Sequence, residues 1–259
     1  MSTIPGVVAL NTFREAVRDR VLYNLIFFAL MMMAAAVLVG GISIGIERDV
    51  IVNLGLTAIS LFGIVMAIFI GVGLVYKEIE KRTLYSLLAK PVQRWEFLAG
   101  KFAGLLLTLT VNTGLMMIGL AAALFYVTRK FERGDATVVI AIYFILLELA
   151  LITSLALLFS CFSSPMLSTL YTLGIYIAGV FAPDIWDVGM VTNSPVAKAA
   201  VKVIYYLLPN FHNFNVIAAA THNQTIPFAL IWQNTLYAAL YVMVVLIAAA
   251  AIFSRRDLK

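Results

Sequence analysis

The sequence predicts an all-α membrane protein: six transmembrane helices, an interfacial helix ahead of the first, and a cytoplasmic helical segment between the second and third. Three observations carry that prediction. Hydrophobic residues make up 63% of the 259 and charged residues 12%, with a mean hydropathy of +1.01, which leaves too little polar surface to coat a soluble globule. Apolar runs long enough to cross a ~30 Å hydrocarbon layer recur along the whole chain. Lys and Arg gather in alternate connecting segments rather than on one face, so a formal charge of +5 and a pI near 9.3 point to lipid headgroups and a protein partner, not to nucleic acid. Cys161 is the single cysteine, which excludes an intrachain disulfide and a cysteine-cluster metal site. With no internal repeat and no soluble domain visible, residues 1–259 read as one transmembrane domain.

Residues 1–20 place Leu10, Phe13, Val17 and Val21 along one helical stripe with Arg14, Glu15, Arg18 and Asp19 opposite, the pattern of a helix lying in the membrane interface. The following apolar run continues to Ile46, too long for a signal peptide, and gives span one at 21–45. Its end, Gly41-Ile42-Ser43-Ile44-Gly45, spells the nucleophile elbow of serine hydrolases, but inside a helical run rather than at a strand-to-helix turn; glycines four apart there predict close helix packing. Span two covers 54–76.

Segment 77–101 then interrupts the apolar pattern with Lys77, Lys81, Arg82, Lys90, Arg94 and Lys101. Leu84, Leu87 and Leu88, then Trp95 and Leu98, recur at three- and four-residue spacing around Pro91, which predicts two short amphipathic helices with a kinked joint. Spans three and four, 102–127 and 136–162, flank a hairpin with Arg129, Lys130, Glu132, Arg133 and Asp135. Ser163-Ser164-Pro165 leads to a short span five, 166–182. Residues 183–225 form the largest loop, extracytoplasmic, with short helices. Ser194-Pro195 is a helix start, and Val196–Leu208 is apolar enough to lie on or re-enter the outer leaflet. Span six covers 226–252.

With the N-terminus inside, the cytoplasmic segments hold twelve of the 18 cations: three before span one, six in 77–101 and three at the end. Acids divide evenly, so the bias lies in Lys and Arg, as orientation rules expect. Both termini are then cytoplasmic.

One acid lies deep in a span. Glu148 should sit near the bilayer midplane, with Asn112 of span three at similar depth from the other side; such a pair either lines a substrate path or is interhelical hydrogen-bonding glue. His212 and His222 have no fixed helical offset and Met31–Met33 cannot face one point, so no metal site is expected. Trp95, Trp186 and Trp232, with Tyr205, Tyr206 and Tyr237, read as interface anchors. No GxxxxGK[ST] loop, HExxH or Gly-rich dinucleotide turn occurs, so the chain should not bind or hydrolyse ATP itself.

Segment 77–101 resembles that of ABC-2 type transporter permeases. Its acid-rich turn is Glu78 and Glu80, followed by Thr83-Leu84, Leu87-Leu88, Pro91-Val92 with Arg94, and Gly100-Lys101; Arg82 stands where the family usually has Gly before the Thr. The ending Phe253-Ser254-Arg255-Arg256-Asp257 and the stretch Leu207-Leu208-Pro209-Asn210 with Phe214-Asn215 are similar to the subgroup found with multicopper-enzyme maturation systems, including the permease that serves nitrous oxide reductase. The resemblance implies that 77–101 is a coupling helix docking on a separate cytoplasmic ATPase through Glu80, Arg82, Thr83, Leu84, Leu87, Leu88, Pro91 and Arg94. It further implies a pair of permeases with two ATPase subunits that bind the ATP and Mg, no cofactor in this chain, and room for an extracytoplasmic accessory protein. A multi-pass place in a bacterial or archaeal plasma (inner) membrane and export as the direction also follow from it. The rival reading is an ATPase-independent channel or proton-coupled carrier with Glu148 as its relay.

Overall fold

The computed structural model describes residues 4–18, 20–42, 45–80, 93–129, 135–191 and 194–255. Among them every regular element is a helix: α1 Ile4–Val17, α2 Arg20–Gly40, α3 Glu47–Glu80, α4 Arg94–Thr128, α5 Asp135–Ser160, α6 Pro165–Val180, α7 Ala182–Val191, α8 Pro195–Leu207, a 3₁₀ turn Phe211–Phe214, α9 Ile217–Thr221 and α10 Phe228–Arg255. Five helices are long and apolar enough to cross a membrane, through Tyr23–Gly40, Glu47–Gly73, Trp95–Thr128, Asp135–Ser160 and Phe228–Ser254. The sixth expected span differs. α6 has 16 residues, about 24 Å at 1.5 Å per residue, shorter than the hydrocarbon layer it was expected to cross at 166–182.

Several boundaries move for local reasons. α3 starts at Glu47 instead of 54, because Glu47 and Asp49 in its first turn complement the positive end of the helix dipole, and it runs on to Glu80. α4 starts at Arg94 instead of 102. Gln93 is extended (φ −72°, ψ 139°), and its N–H donates to the Glu96 carboxylate at 3.1 Å, the reciprocal half of a helix-start box. The second short helix expected in 77–101 is therefore the first two turns of the third span. Trp95 stays exposed, while Leu98 enters a basal cluster with Phe97, Cys161, Ala249 and Phe253. α2 ends at Gly40 rather than 45. Gly45 takes a φ of +87° in the loop, and Gly41 has nothing nearer than 3.5 Å to an added Cβ, so these glycines end the helix instead of packing it.

α3 and α5 make the centre of the bundle, with most of their apolar stretches buried; α2 and α10 face mainly outward. At one end, here called apical, Arg48 of α3 donates to Asp135 of α5 at 3.2 Å and to the Thr221 carbonyl of α9 at 3.2 Å. At the basal end, α1 lies across α4. A Cβ at Gly100 would stand 2.7 Å from Cβ of Val8, and one at Gly104 the same distance from Cβ of Thr12. Two glycines four apart let the helices touch backbone to backbone. The face of α1 that this buries carries small residues, Thr12 and Ala16 being fully enclosed, whereas Leu10 of the expected apolar stripe is 48% exposed. Leu10 is left for whatever surrounds the bundle, while Phe13 and Val17 are half-buried.

Residues 183–225, expected as an outer loop, divide into two parts. α7 and α8 form an outlying hairpin joined by Trp186, whose ring centroid is 4.7 Å from that of Tyr205. After it, residues 209–221 turn inward: Phe211, Phe214, Val216, Ala220 and Thr221 are buried, packed between α3, α5 and α6.

Candidate functional site

The cationic segment is framed by the structure more than filled in. Arg82, Thr83, Leu84, Leu87, Leu88 and Pro91 lie outside the described residues. Glu80 is the last residue of α3 and Arg94 the first of α4, two packed helices of 34 and 35 residues. Neither contains Pro, so each runs without the commonest cause of a kink.

The second candidate is a chamber around Glu148. This residue stands 13 positions into α5 and Ser60 13 positions into α3, each about 20 Å from the apical start of its helix. Glu148 is 7% exposed. The Ser60 hydroxyl donates to its carboxylate at 3.5 Å, and the Tyr176 hydroxyl of α6 is a second hydrogen-bond partner. A carboxylate at this depth needs such donors, because hydrocarbon offers none. The chamber, about 80 Å³, is roofed by Phe211, Phe214 and Ile217 and reaches the exposed side chains of His212 and Asn215.

Irregular backbone in this position needs partners of its own, and α10 supplies them. The Tyr237 hydroxyl accepts from the Asn210 N–H at 3.0 Å, and the Tyr241 hydroxyl donates to the Leu207 carbonyl at 2.9 Å. Tyr237, expected as an interface anchor, instead fastens the inturned segment and meets the Phe214 ring at 6.2 Å.

The two polar residues expected to line one path are separated. Asn112 is buried and donates Nδ2 to Sδ of Met66 at 3.8 Å, six residues along α3 from Ser60 and on a different face at 100° per residue. No α4 residue lines the Glu148 chamber. The histidines also diverge: His212 is at the chamber mouth, while Nδ1 of His222 lies 3.6 Å from Asp49 at the apical clasp. Among the described residues no three His, Cys, Asp or Glu side chains gather as a metal site would require.

Sequence reasoning missed Ser60, Tyr176 and Tyr241, and gave Tyr237 only the role of an interface anchor. Ser60 sits in an apolar run with no local signal. Tyr237 and Tyr241 are four apart, one helical face, which was the available hint.

Residues 7–258 match the family model described as ABC-2 family transporter protein. No curated protein gives a significant match to the chain.

Proposed function

The chain belongs to the ABC-2 transporter family and is a multi-pass membrane permease component of an ABC transporter, and we propose that it works as one of two identical copies, each seated on a cytoplasmic ATPase subunit through segment 77–101. The observation that carries this reading is the family match itself, whose bounds, residues 7–258, enclose that segment. The continuity of α3 and α4 up to both of its ends supports it. In this reading Leu84, Leu87, Leu88 and the Pro91 joint receive the push of ATPase closure, with Glu80, Arg82, Thr83 and Arg94 at the rim of the contact. α3 passes the displacement to Ser60 and hence to Glu148, a rigid-body coupling of two sites. The ATP and Mg belong to the partner. The Glu148 chamber is a section of the substrate path about halfway along α5, with Asn112 as a packing contact nearer the basal end.

Topology is part of the proposal. The cation bias puts the basal end, the coupling segment and both termini in the cytoplasm of a bacterial or archaeal inner membrane, which requires α6 to complete a sixth crossing together with adjoining residues. Export, an apical accessory protein over the α7–α8 hairpin, and kinship with the nitrous oxide reductase maturation subgroup rest on the motifs quoted above.

The test is a detergent pull-down of the tagged chain from its native membrane, with mass spectrometry and an ATPase assay of what co-purifies. A soluble ATPase is expected, lost when Leu84→Asp and Leu88→Asp are combined. Recovery of the chain alone, with transport in liposomes that Glu148→Gln abolishes, would establish the carrier reading instead.

A further inference from the structure

The walls of the Glu148 chamber carry charge of one sign. They come from α3, α5, α6, the 3₁₀ turn and α9, and among the described residues that line it Glu148 is the one acid, with no Lys or Arg beside it. Arg48, the nearest cation along α3, stands 12 residues from Ser60, about 18 Å at 1.5 Å per residue. It is already held by Asp135 and the Thr221 carbonyl. The partners of the Glu148 side chain are two neutral hydroxyls, those of Ser60 and Tyr176.

Hydroxyls satisfy hydrogen bonds, but they do not balance a charge. A buried charge is tolerated where an opposite charge or a proton offsets it, and these walls bring no opposite charge of their own. A carboxylate offers about four lone-pair sites. Ser60 and Tyr176 account for two of them, and Glu148 keeps 7% of its surface exposed.

The rest of the lining suits a cation that brings its own donors. Asn215 at the mouth accepts from the Ile217 N–H at 3.4 Å through its side-chain oxygen, which has a second lone pair to give. Tyr176, Phe211 and Phe214 add aromatic rings, whose faces attract cations; an anion would meet the carboxylate with nothing to offset it. Calcium-like ions seek six to eight oxygens, several from carboxylates, and one carboxylate is present. The volume of about 80 Å³ exceeds the ~10–15 Å³ that one water needs yet is too small for a whole metabolite. We propose that the chamber receives the primary ammonium head of a slender organic amine, its N–H groups donating to the Glu148 carboxylate and its chain leaving past His212 and Asn215. The inference rests on the chamber being part of the substrate path, and it names the class of substrate as an amine.

The test is a cysteine-protection assay on the purified full-length chain in detergent. His212→Cys in a Cys161→Ser background sets one thiol at the chamber mouth, and its reaction with methyl methanethiosulfonate, a small neutral reagent, is timed by mass spectrometry. A dissociation constant of about 1 mM for n-butylammonium is ordinary for one charge-assisted contact with a short chain, and at ~10 mM it slows the reaction about tenfold by occupancy alone. n-Butanol, butyrate and sodium ion at the same concentration should leave the rate unchanged, and Glu148→Gln should abolish the slowing. An unchanged rate with n-butylammonium, equal slowing by any of the other three solutes, or slowing that survives Glu148→Gln would overturn the proposal. The comparison among the four solutes decides the matter even where Glu148→Gln fails to fold. A thiol that does not react overturns it as well, because the mouth is then closed. None of these readouts involves an ATPase, so the co-purification test can succeed while this one fails, and the reverse.

Discussion

A methyl group at Gly179 would collide with the carbonyl oxygen of Pro209 and lie 2.6 Å from the Phe211 ring. Backbone cannot give way as a flexible side chain can, so Gly179→Ala should lower the melting temperature of the purified chain, with an overpacking cost of about 1–3 kcal/mol. Dye-monitored thermal unfolding in detergent would measure it, and an unchanged midpoint would mean that residues 209–211 do not pass so close to α6. Glu148→Gln keeps the shape and one acceptor for Ser60 and Tyr176, so its effect on stability is expected to stay within about 1 kcal/mol. If the chamber is part of the substrate path, transport falls while stability holds; transport equal to wild type would reduce Glu148 to packing. Glu148 itself was legible in the sequence, as the one acid deep in an apolar run. Its partners were not, because Ser60 and Tyr176 come from two other helices and only the assembled bundle brings them to it.

At the scale of single elements, α1 shows how periodicity can identify a helix and misjudge its contact face. The Leu10, Phe13, Val17 stripe marked a segment that is helical as α1, yet the surface pressed against α4 is the small-residue face around Thr12 and Ala16. Close approach rewards the absence of side chain, and hydrophobicity scales do not register it. Gly100 and Gly104 were the available signal, one of them already in view beside Lys101. Gly104→Val should push α1 off its seat, since the added Cβ alone would lie 2.7 Å from that of Thr12. A cysteine at exposed Asn11, in a Cys161→Ser background, would then react faster with maleimide than it does with Gly104 intact. Boundaries were the weakest part of the reading for a related reason. Apolar length locates a span but not the polar turns that prolong it, such as Glu47–Asp49 on α3 and the Gln93–Glu96 start of α4.

For the whole molecule, hydropathy was enough to establish a helical membrane protein, and five spans were legible from apolar length alone. The sixth expected span, 166–182, meets a helix of only 16 residues, because apolar composition alone does not show where a short helix stops. Orientation is open to direct measurement. In a Cys161→Ser background, Arg129→Cys on the apical side should react with a membrane-impermeant maleimide in intact cells, and Ser164→Cys on the basal side only after permeabilisation; the opposite pattern would invert the proposed topology. The inturned segment also bears on how the protein is made. Residues 207–210 leave the ribosome before Tyr237 and Tyr241, the groups that hold their carbonyl and amide. During synthesis, then, this carbonyl and amide lack their α10 partners until α10 has been released into the bilayer, so a nascent chain stalled just short of α10 would leave that stretch unfastened and open to proteases and quality control.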